Sequence, residues 1–207
     1  MLSIFLYDIV KQMEHENKEN VVAEEPKEQS WWELIRFALI AIAIVLPLRL
    51  FIAEPFVVSG SSMVPTFTDK DYLIIDKISY HLHTPKRDDV VVFKYPNDTT
   101  KYFIKRIIGL PGETIDIKGE TITITNETHP EGLVLDQSFI QNMSSDDIHL
   151  KLKKDEYYVM GDNRTASSDS RVWGPLNKKF MTGKVLLRLL PIKHADIYPG
   201  KFIQAEN

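Results

Sequence analysis

Beyond residue 53 apolar and polar positions alternate with a period of two, in short runs separated by turn residues. Tyr72-Leu73-Ile74-Ile75-Asp76, Val90-Val91-Val92-Phe93, Tyr102 to Ile108, Tyr157-Tyr158-Val159-Met160 and Val185 to Leu190 each read as a short strand. Thr114 to Ile117 and Thr121 to Thr125 alternate on either side of Lys118-Gly119, which predicts a hairpin. No long amphipathic helix follows residue 53. The pattern predicts a mainly β domain over residues 54–207, in small sheets joined by turns.

Before residue 53 the pattern is different. Met1 to Val10 is a short apolar patch, after which Glu14, Glu16, Glu19, Glu24, Glu25 and Glu28 outweigh Lys11, Lys18 and Lys27. An acidic stretch with few large apolar groups cannot bury a core, so residues 1–30 read as a flexible tail. Trp31-Trp32 then leads into Phe37 to Leu48, which carries no charge, and after Arg49 the apolar run resumes to Ala53. About 17 apolar residues is the short end for a bilayer-spanning helix. A core helix would show a polar side, which this run lacks. A cleaved signal peptide would open on a basic region rather than an acidic one. Residues 31–53 are therefore expected to be an uncleaved single-span transmembrane anchor, with the tryptophans at the headgroup layer and Arg49 snorkelling toward the opposite interface.

The net charge of −4 argues against a nucleic-acid partner, which would call for a basic face. The chain has no cysteine, which excludes disulfides, a thiol nucleophile and thiolate-bound zinc.

Three polar segments go beyond what a plain β domain needs. Ser59-Gly60-Ser61-Ser62-Met63-Val64-Pro65-Thr66 is a Gly/Ser-rich turn pinned by proline, able to present a hydroxyl together with backbone N–H groups for a developing oxyanion. A surface turn reads the same way. On a strand through Tyr102-Phe103-Ile104-Lys105-Arg106-Ile107, alternation places Phe103, Lys105 and Ile107 on one face. A lysine flanked by apolar groups loses its charge more readily, and a neutral amine can take a proton from a hydroxyl. An edge-strand lysine that blunts aggregation is the plainer alternative. From Met160 to Pro175, the carboxylates Asp162 and Asp169 interleave with Arg164 and Arg171, a composition that can fix a loop without a core.

Taken together, in order and spacing, these segments resemble the conserved boxes of the bacterial type I signal peptidases (the leader peptidase family). The resemblance rests on Gly60-x-Ser62-Met63-x-Pro65-Thr66, Asp89 to Pro96, Lys105 to Glu113, Gly161-Asp162-Asn163-Arg164, Ser167, and Asp169-Ser170-Arg171-x-Trp173-Gly174, and covers most of residues 35 to 190.

The resemblance implies a fold of small antiparallel sheets after one N-terminal transmembrane helix, with residues 113–154 as a smaller inserted subdomain. It implies a Ser/Lys dyad, Ser62 as nucleophile and Lys105 as general base. Ser167 would orient the lysine, while Asp162, Asp169 and Arg171 shape the site. Some members carry a serine at the position of Gly60 whose hydroxyl serves the oxyanion hole; here a backbone group or another donor must serve, and the Ser62 N–H is available. Phe56, Val58, Met63, Phe103 and Ile104 would line shallow pockets for small side chains, so that preproteins are cut after Ala-x-Ala, the substrate adding as a strand near 56–60 and 102–105. Signal peptides and the lipid bilayer are the implied partners, with no metal, cofactor or nucleic acid. The tail would be cytoplasmic and the catalytic domain extracytoplasmic.

Two other readings compete: a self-cleaving repressor-type Ser/Lys protease, which would carry a DNA-binding module in place of an anchor, and a non-catalytic membrane-anchored relative acting as a scaffold, which would lack the serine or the lysine. No role is assigned to the histidines, and His81-x-His83 reads as a surface strand. The Asn-x-Ser/Thr triplets at Asn97, Asn126, Asn142 and Asn163 are incidental in a protein resembling a bacterial enzyme.

Overall fold

The computed structural model describes residues 31–47 and 53–202. The expected tail lies outside the described residues, as do residues 48–52 of the expected anchor. The chain separates into two units, Met1–Ile44 and Val45–Asn207.

Helix α1, Trp31–Pro47, is 17 residues long. Its described side chains are exposed except for the half-buried Ala41. Among the described residues no helix is long and apolar enough to cross a membrane. At 1.5 Å per residue, α1 spans about 26 Å against a hydrocarbon core of about 30 Å. The expected anchor also ends too late. Ala53 belongs to a strand, because Ala53–Val57 pairs antiparallel with Tyr72–Asp76, Ala53 opposite Asp76.

That strand, β1, is followed by β2 (Tyr72–Asp76), the short helix α2 (Ser79–Leu82), β3 (Val90–Tyr95), β4 (Asp98–Gly109), β5 (Thr114–Gly119), β6 (Thr121–Thr125), β7 (Leu133–Val134), β8 (Asp146–Lys151), β9 (Glu156–Met160), the short helix α3 (Ser170–Trp173), β10 (Leu176–Asn177), β11 (Met181–Leu190) and β12 (Asp196–Ile197). His81-x-His83 is not a strand: Ser79 N–H and Oγ are captured by Asp76, the backbone winds one turn, and His83 N–H closes it on the Ser79 carbonyl.

The strands form two sheets. The larger runs β1-β2-β11-β3-β4-β9-β10, with β12 beside β11; the smaller runs β7-β6-β5-β8. Every ladder described is antiparallel. Strand β3 shows how the larger sheet is covered. Val90 and Val92 pack with Met63, Phe67, Leu73, Ile75 and Val185, whereas Val91 and Phe93 pack with Ile107, Val159 and Leu176. A strand buried on both faces needs an unbroken apolar run, and Val90-Val91-Val92-Phe93 supplies one. In the smaller sheet, Ile115 and Ile117 lie opposite Ile124 and Ile122 and share a core with Leu135 and Leu152.

Gly183 lets β11 lie close against β2. A Cβ there would stand 2.2 Å from the Asp76 carbonyl oxygen. Gly183→Ala must push β11 off β2, and is expected to cost about 1–3 kcal/mol. Denaturant titration measures this; an unchanged midpoint would show that the strands part freely.

Candidate active site

Strand β4 carries Lys105 into the larger sheet opposite Val91, where it is only 4 % exposed. Its Nζ donates to Ser62 Oγ at 2.7 Å and to the Ile104 carbonyl at 2.8 Å. The Phe103 ring centre lies 5.3 Å from Nζ, and Phe103 packs against the core that contains Ile107, as alternation along the strand requires. Burial pushes the Lys105 amine down to about 8, with Asp169 and Asp162 pulling the other way.

Ser62 stands in the turn between β1 and β2. Gly60 takes φ +98°, in the left-handed region that glycine enters without strain, and its N–H donates to Asp69 Oδ1 at 3.0 Å. That N–H is thereby committed, and the donor lowers the Asp69 pKa. Among the described residues the Ser62 N–H meets no acceptor. Met63 is 1 % exposed and packs with Phe67 and Leu73, so it anchors the turn from within the core. Here the expected substrate contact is corrected: the side chain next to Ser62 points into the core, not the cleft.

The polar loop after β9 clamps this turn. Asn163 N–H donates to the Ser62 carbonyl at 3.0 Å, and Asn163 Nδ2 to the Ser61 carbonyl at 3.1 Å. At Gly161 a Cβ would stand 2.4 Å from the Ser62 carbonyl oxygen and 2.3 Å from Ser167 Oγ, so this approach requires glycine. Asp169 is fully buried, accepts from Gly161 N–H at 3.0 Å, and holds Arg171 through Nε and Nη2, both at 2.8 Å. Arg171 reaches on to Asp146 at 3.1 Å and to the Arg164 carbonyl at 2.7 Å. Asp162 pairs with Arg106 through two bonds, Nε to Oδ1 at 2.9 Å and Nη2 to Oδ2 at 2.6 Å, both side chains 1 % exposed.

Ser167 is close by, but no hydrogen bond joins it to Lys105; its Oγ is buried without a partner among the described residues. A cleft of about 450 Å³ opens beside the Ser62–Lys105 pair. Phe56, Val58, Phe103 and Ile104 line it, and so do Leu73, Val92, Tyr102 and Ser168. Phe56 and Tyr102 meet with ring centres 5.1 Å apart. Among the described residues no group of three or more His, Asp or Glu is placed to hold a metal. Asn163 and Tyr102 are the residues that sequence reasoning missed. Both lie inside the polar and strand segments singled out, but nothing in their spacing shows which way they turn.

Residues 31–190 match the sequence profile of the family described as signal peptidase, peptidase S26. A probable signal peptidase I-2 of Synechocystis sp. (strain ATCC 27184 / PCC 6803 / Kazusa) is 35% identical over 181 residues, covering 84% of this chain and 80% of the relative. A signal peptidase I P of Bacillus subtilis subsp. natto is 35% identical over 181 residues, covering 83% of this chain and 97% of the relative. A solved signal peptidase I of Enterococcus faecalis V583 is 28% identical, with a TM-score of 0.42 over 49% of this chain and 97% of that one. The profile match and the two sequence relatives place the chain in the signal peptidase family, peptidase S26, and make it a protein-cleaving hydrolase.

Proposed function

We propose that this protein removes signal peptides from exported preproteins at a membrane surface, cutting after Ala-x-Ala with Ser62 as nucleophile and Lys105 as general base. The observation that carries the reading is the 2.7 Å contact between a serine hydroxyl and a buried amine whose pKa lies near 8. When the amine is neutral the bond reverses, and Ser62 O–H donates to Nζ. As Oγ attacks the scissile carbonyl, Lys105 takes the hydroxyl proton and the carbonyl oxygen becomes an oxyanion, for which the Ser62 N–H is an available donor. The tetrahedral intermediate collapses, Lys105 gives its proton to the leaving amine, and water clears the acyl-enzyme by the same relay. The apolar wall of Phe56, Val58, Phe103 and Ile104 is expected to receive a small apolar side chain such as alanine.

Anchoring belongs to the same proposal. Helix α1 opens on Trp31 and Trp32, carries Glu33 and Arg36 in its first two turns and no charge from Phe37 to Pro47, and the sequence beyond it is apolar to residue 53 apart from Arg49. A span that begins near Trp31 and ends before the strand at Ala53, with a cytoplasmic tail and an extracytoplasmic β domain, would hold the cleft where signal peptides emerge from the bilayer.

The test is cleavage, in detergent, of a preprotein bearing an Ala-x-Ala site. The parent is expected to cut there, Ser62→Ala to lose on the order of 10⁴-fold or more in rate, and a substrate with phenylalanine at the final Ala to resist. Cutting by Ser62→Ala at the same site would move the nucleophile elsewhere. A well-folded parent that does not cut would be a scaffold relative.

A further inference from the structure

The turn that carries Ser62 is also held by the C-terminal segment. Gly200 lies so close to it that a Cβ would stand 2.6 Å from Thr66 Cγ2, 3.2 Å from Phe67 Cε2 and 3.4 Å from Val90 Cγ2, at φ +75°. The Gly200 carbonyl accepts from Arg106 Nη1 at 2.7 Å, and the Asp88 carbonyl takes the same nitrogen at 3.0 Å. Arg106 grips Asp162 by two bonds, and Asp162 Oδ2 accepts from the Thr66 hydroxyl. The contacts close into a ring: Gly200 to Arg106, Arg106 to Asp162, Asp162 to Thr66, and Thr66 back to Gly200. Beyond the ring, Phe202 packs on Phe139 with ring centres 4.4 Å apart, and Phe139 lies 4.6 Å under the Arg106 guanidinium.

Both members of the reacting pair hang from this ring. Thr66 belongs to the turn of Ser62, and Arg106 follows Lys105 on β4. Neither Gly200 nor Phe202 lines the cleft that holds the pair. We propose that Gly200 is a positioning residue for peptide cleavage: its bare backbone sets Thr66 and Arg106, and through them the separation of Ser62 and Lys105. The inference rests on the Ser62–Lys105 reading given above. Glycine is required twice over, by the left-handed φ and because Thr66 is β-branched and cannot swing a methyl aside cheaply.

The test compares Gly200→Ala, Thr66→Ser, their double variant and Lys201→Ala, whose exposed side chain serves as the control, in the full chain cleaving an Ala-x-Ala preprotein. Gly200→Ala is expected to lower kcat at least roughly tenfold while KM changes less than about twofold, as misplacement of a reacting pair does. Its pH–kcat limb is expected to move to higher pH. Asp162, less well neutralised by Arg106, then holds the Lys105 proton more tightly, Asp169 acts in the same sense, and water entering the site relieves desolvation. A purely structural defect would lower the folded fraction and leave the limb in place. Thr66→Ser keeps the hydroxyl for Asp162 and removes the methyl that an alanine would strike, so the double variant, still strained by the left-handed φ, is expected to recover part of the lost kcat. A parental kcat and limb in Gly200→Ala, or a double variant no better than Gly200→Ala, overturns the proposal. If Gly200→Ala does not fold, the double variant is set against Thr66→Ser alone; restored folding and cleavage support the contact, and a double variant that stays unfolded refutes it. Ser62→Ala, run alongside, reports on the dyad separately: cutting that survives there removes the dyad, whatever Gly200→Ala does.

Discussion

Lys105→Met is expected to abolish cleavage and yet give a more stable protein at neutral pH. The loss follows from the base: methionine fills the same space and cannot take a proton from Ser62, so the rate should fall on the order of 10⁴-fold or more. The gain follows from burial. The Lys105 amine titrates near 8 in the folded protein against 10.5 ordinarily, because burial penalises its charge. Below pH 8 both folded and unfolded chains carry the proton and the penalty is present in full. Between about pH 8 and 10.5 the unfolded chain binds more protons, so parental stability rises with pH; above 10.5 the penalty is gone. At 1.36 kcal/mol per unit, removing the buried ammonium is worth at most about 3 kcal/mol at pH 7. The variant's advantage should therefore shrink as pH rises toward 10.5. Parental kcat should climb through the same titration, near pH 8. Chemical denaturation of both proteins at pH 7 and 10 reads the first effect, and a pH–rate profile the second. A variant less stable than the parent at pH 7, or a parental rate flat from pH 6 to 10, would contradict this account of the lysine.

That lysine was legible in the sequence for a reason that generalises. Period two places Phe103 and Ile107 on its face, and a strand interior leaves a side chain little choice of direction. The same regularity gives β2 and β6 to the residue, whereas an unbroken apolar run marks the start of β3. It failed where pairing, not patterning, decides. Only the first residue of β1, Ala53, falls in the apolar run, and Glu54 and Pro55 do not suggest a strand, but an edge strand tolerates proline, and the ladder to β2 fixes it. β8 is written Asp-Asp-Ile-His-Leu-Lys, too charged to suggest a strand until β5 lies beside it. His81-x-His83 reads as extended because nothing in the spacing shows Asp76, five residues before His81, accepting from the Ser79 N–H and hydroxyl where the chain begins to wind.

The site divides along the same line. Ser62, Lys105 and Asp169 stand in contiguous boxes, and the fold brings Ser62 and Lys105 within 2.7 Å of each other. Gly200 could not be named, since its partners are 94 and 134 residues away and meet it only in the folded chain. Met63 shows the opposite error. Adjacency to the nucleophile suggested a cleft residue, but successive side chains in a turn diverge, and the apolar one of the two went inward.

Asp162→Asn is expected to be the most destabilising single change at the site, and to move the pH–rate limb in the direction opposite to Gly200→Ala. Arg106 and Asp162 are each 1 % exposed, and the carboxylate meets the guanidinium through both oxygens. Asparagine offers one oxygen and turns an NH₂ toward a donor, leaving a buried cation whose other acceptors are the carbonyls of Asp88 and Gly200. Breaking a buried pair in this way costs about 3–5 kcal/mol. That is a large share of a domain's total of roughly 5–15 kcal/mol. Because the cost comes from the stranded charge, Arg106→Met added to Asp162→Leu should be milder than Asp162→Leu alone. The catalytic consequence has its own sign. Asp162 raises the Lys105 pKa, so removing its charge and leaving Arg106 uncompensated should lower that pKa and carry the activity limb below pH 8. Denaturation midpoints, with pH profiles taken well below them, measure both effects. An Asp162→Asn protein within about 1 kcal/mol of the parent would mean that water already reaches this pair, and a limb that stayed at pH 8 would mean that the lysine does not sense it.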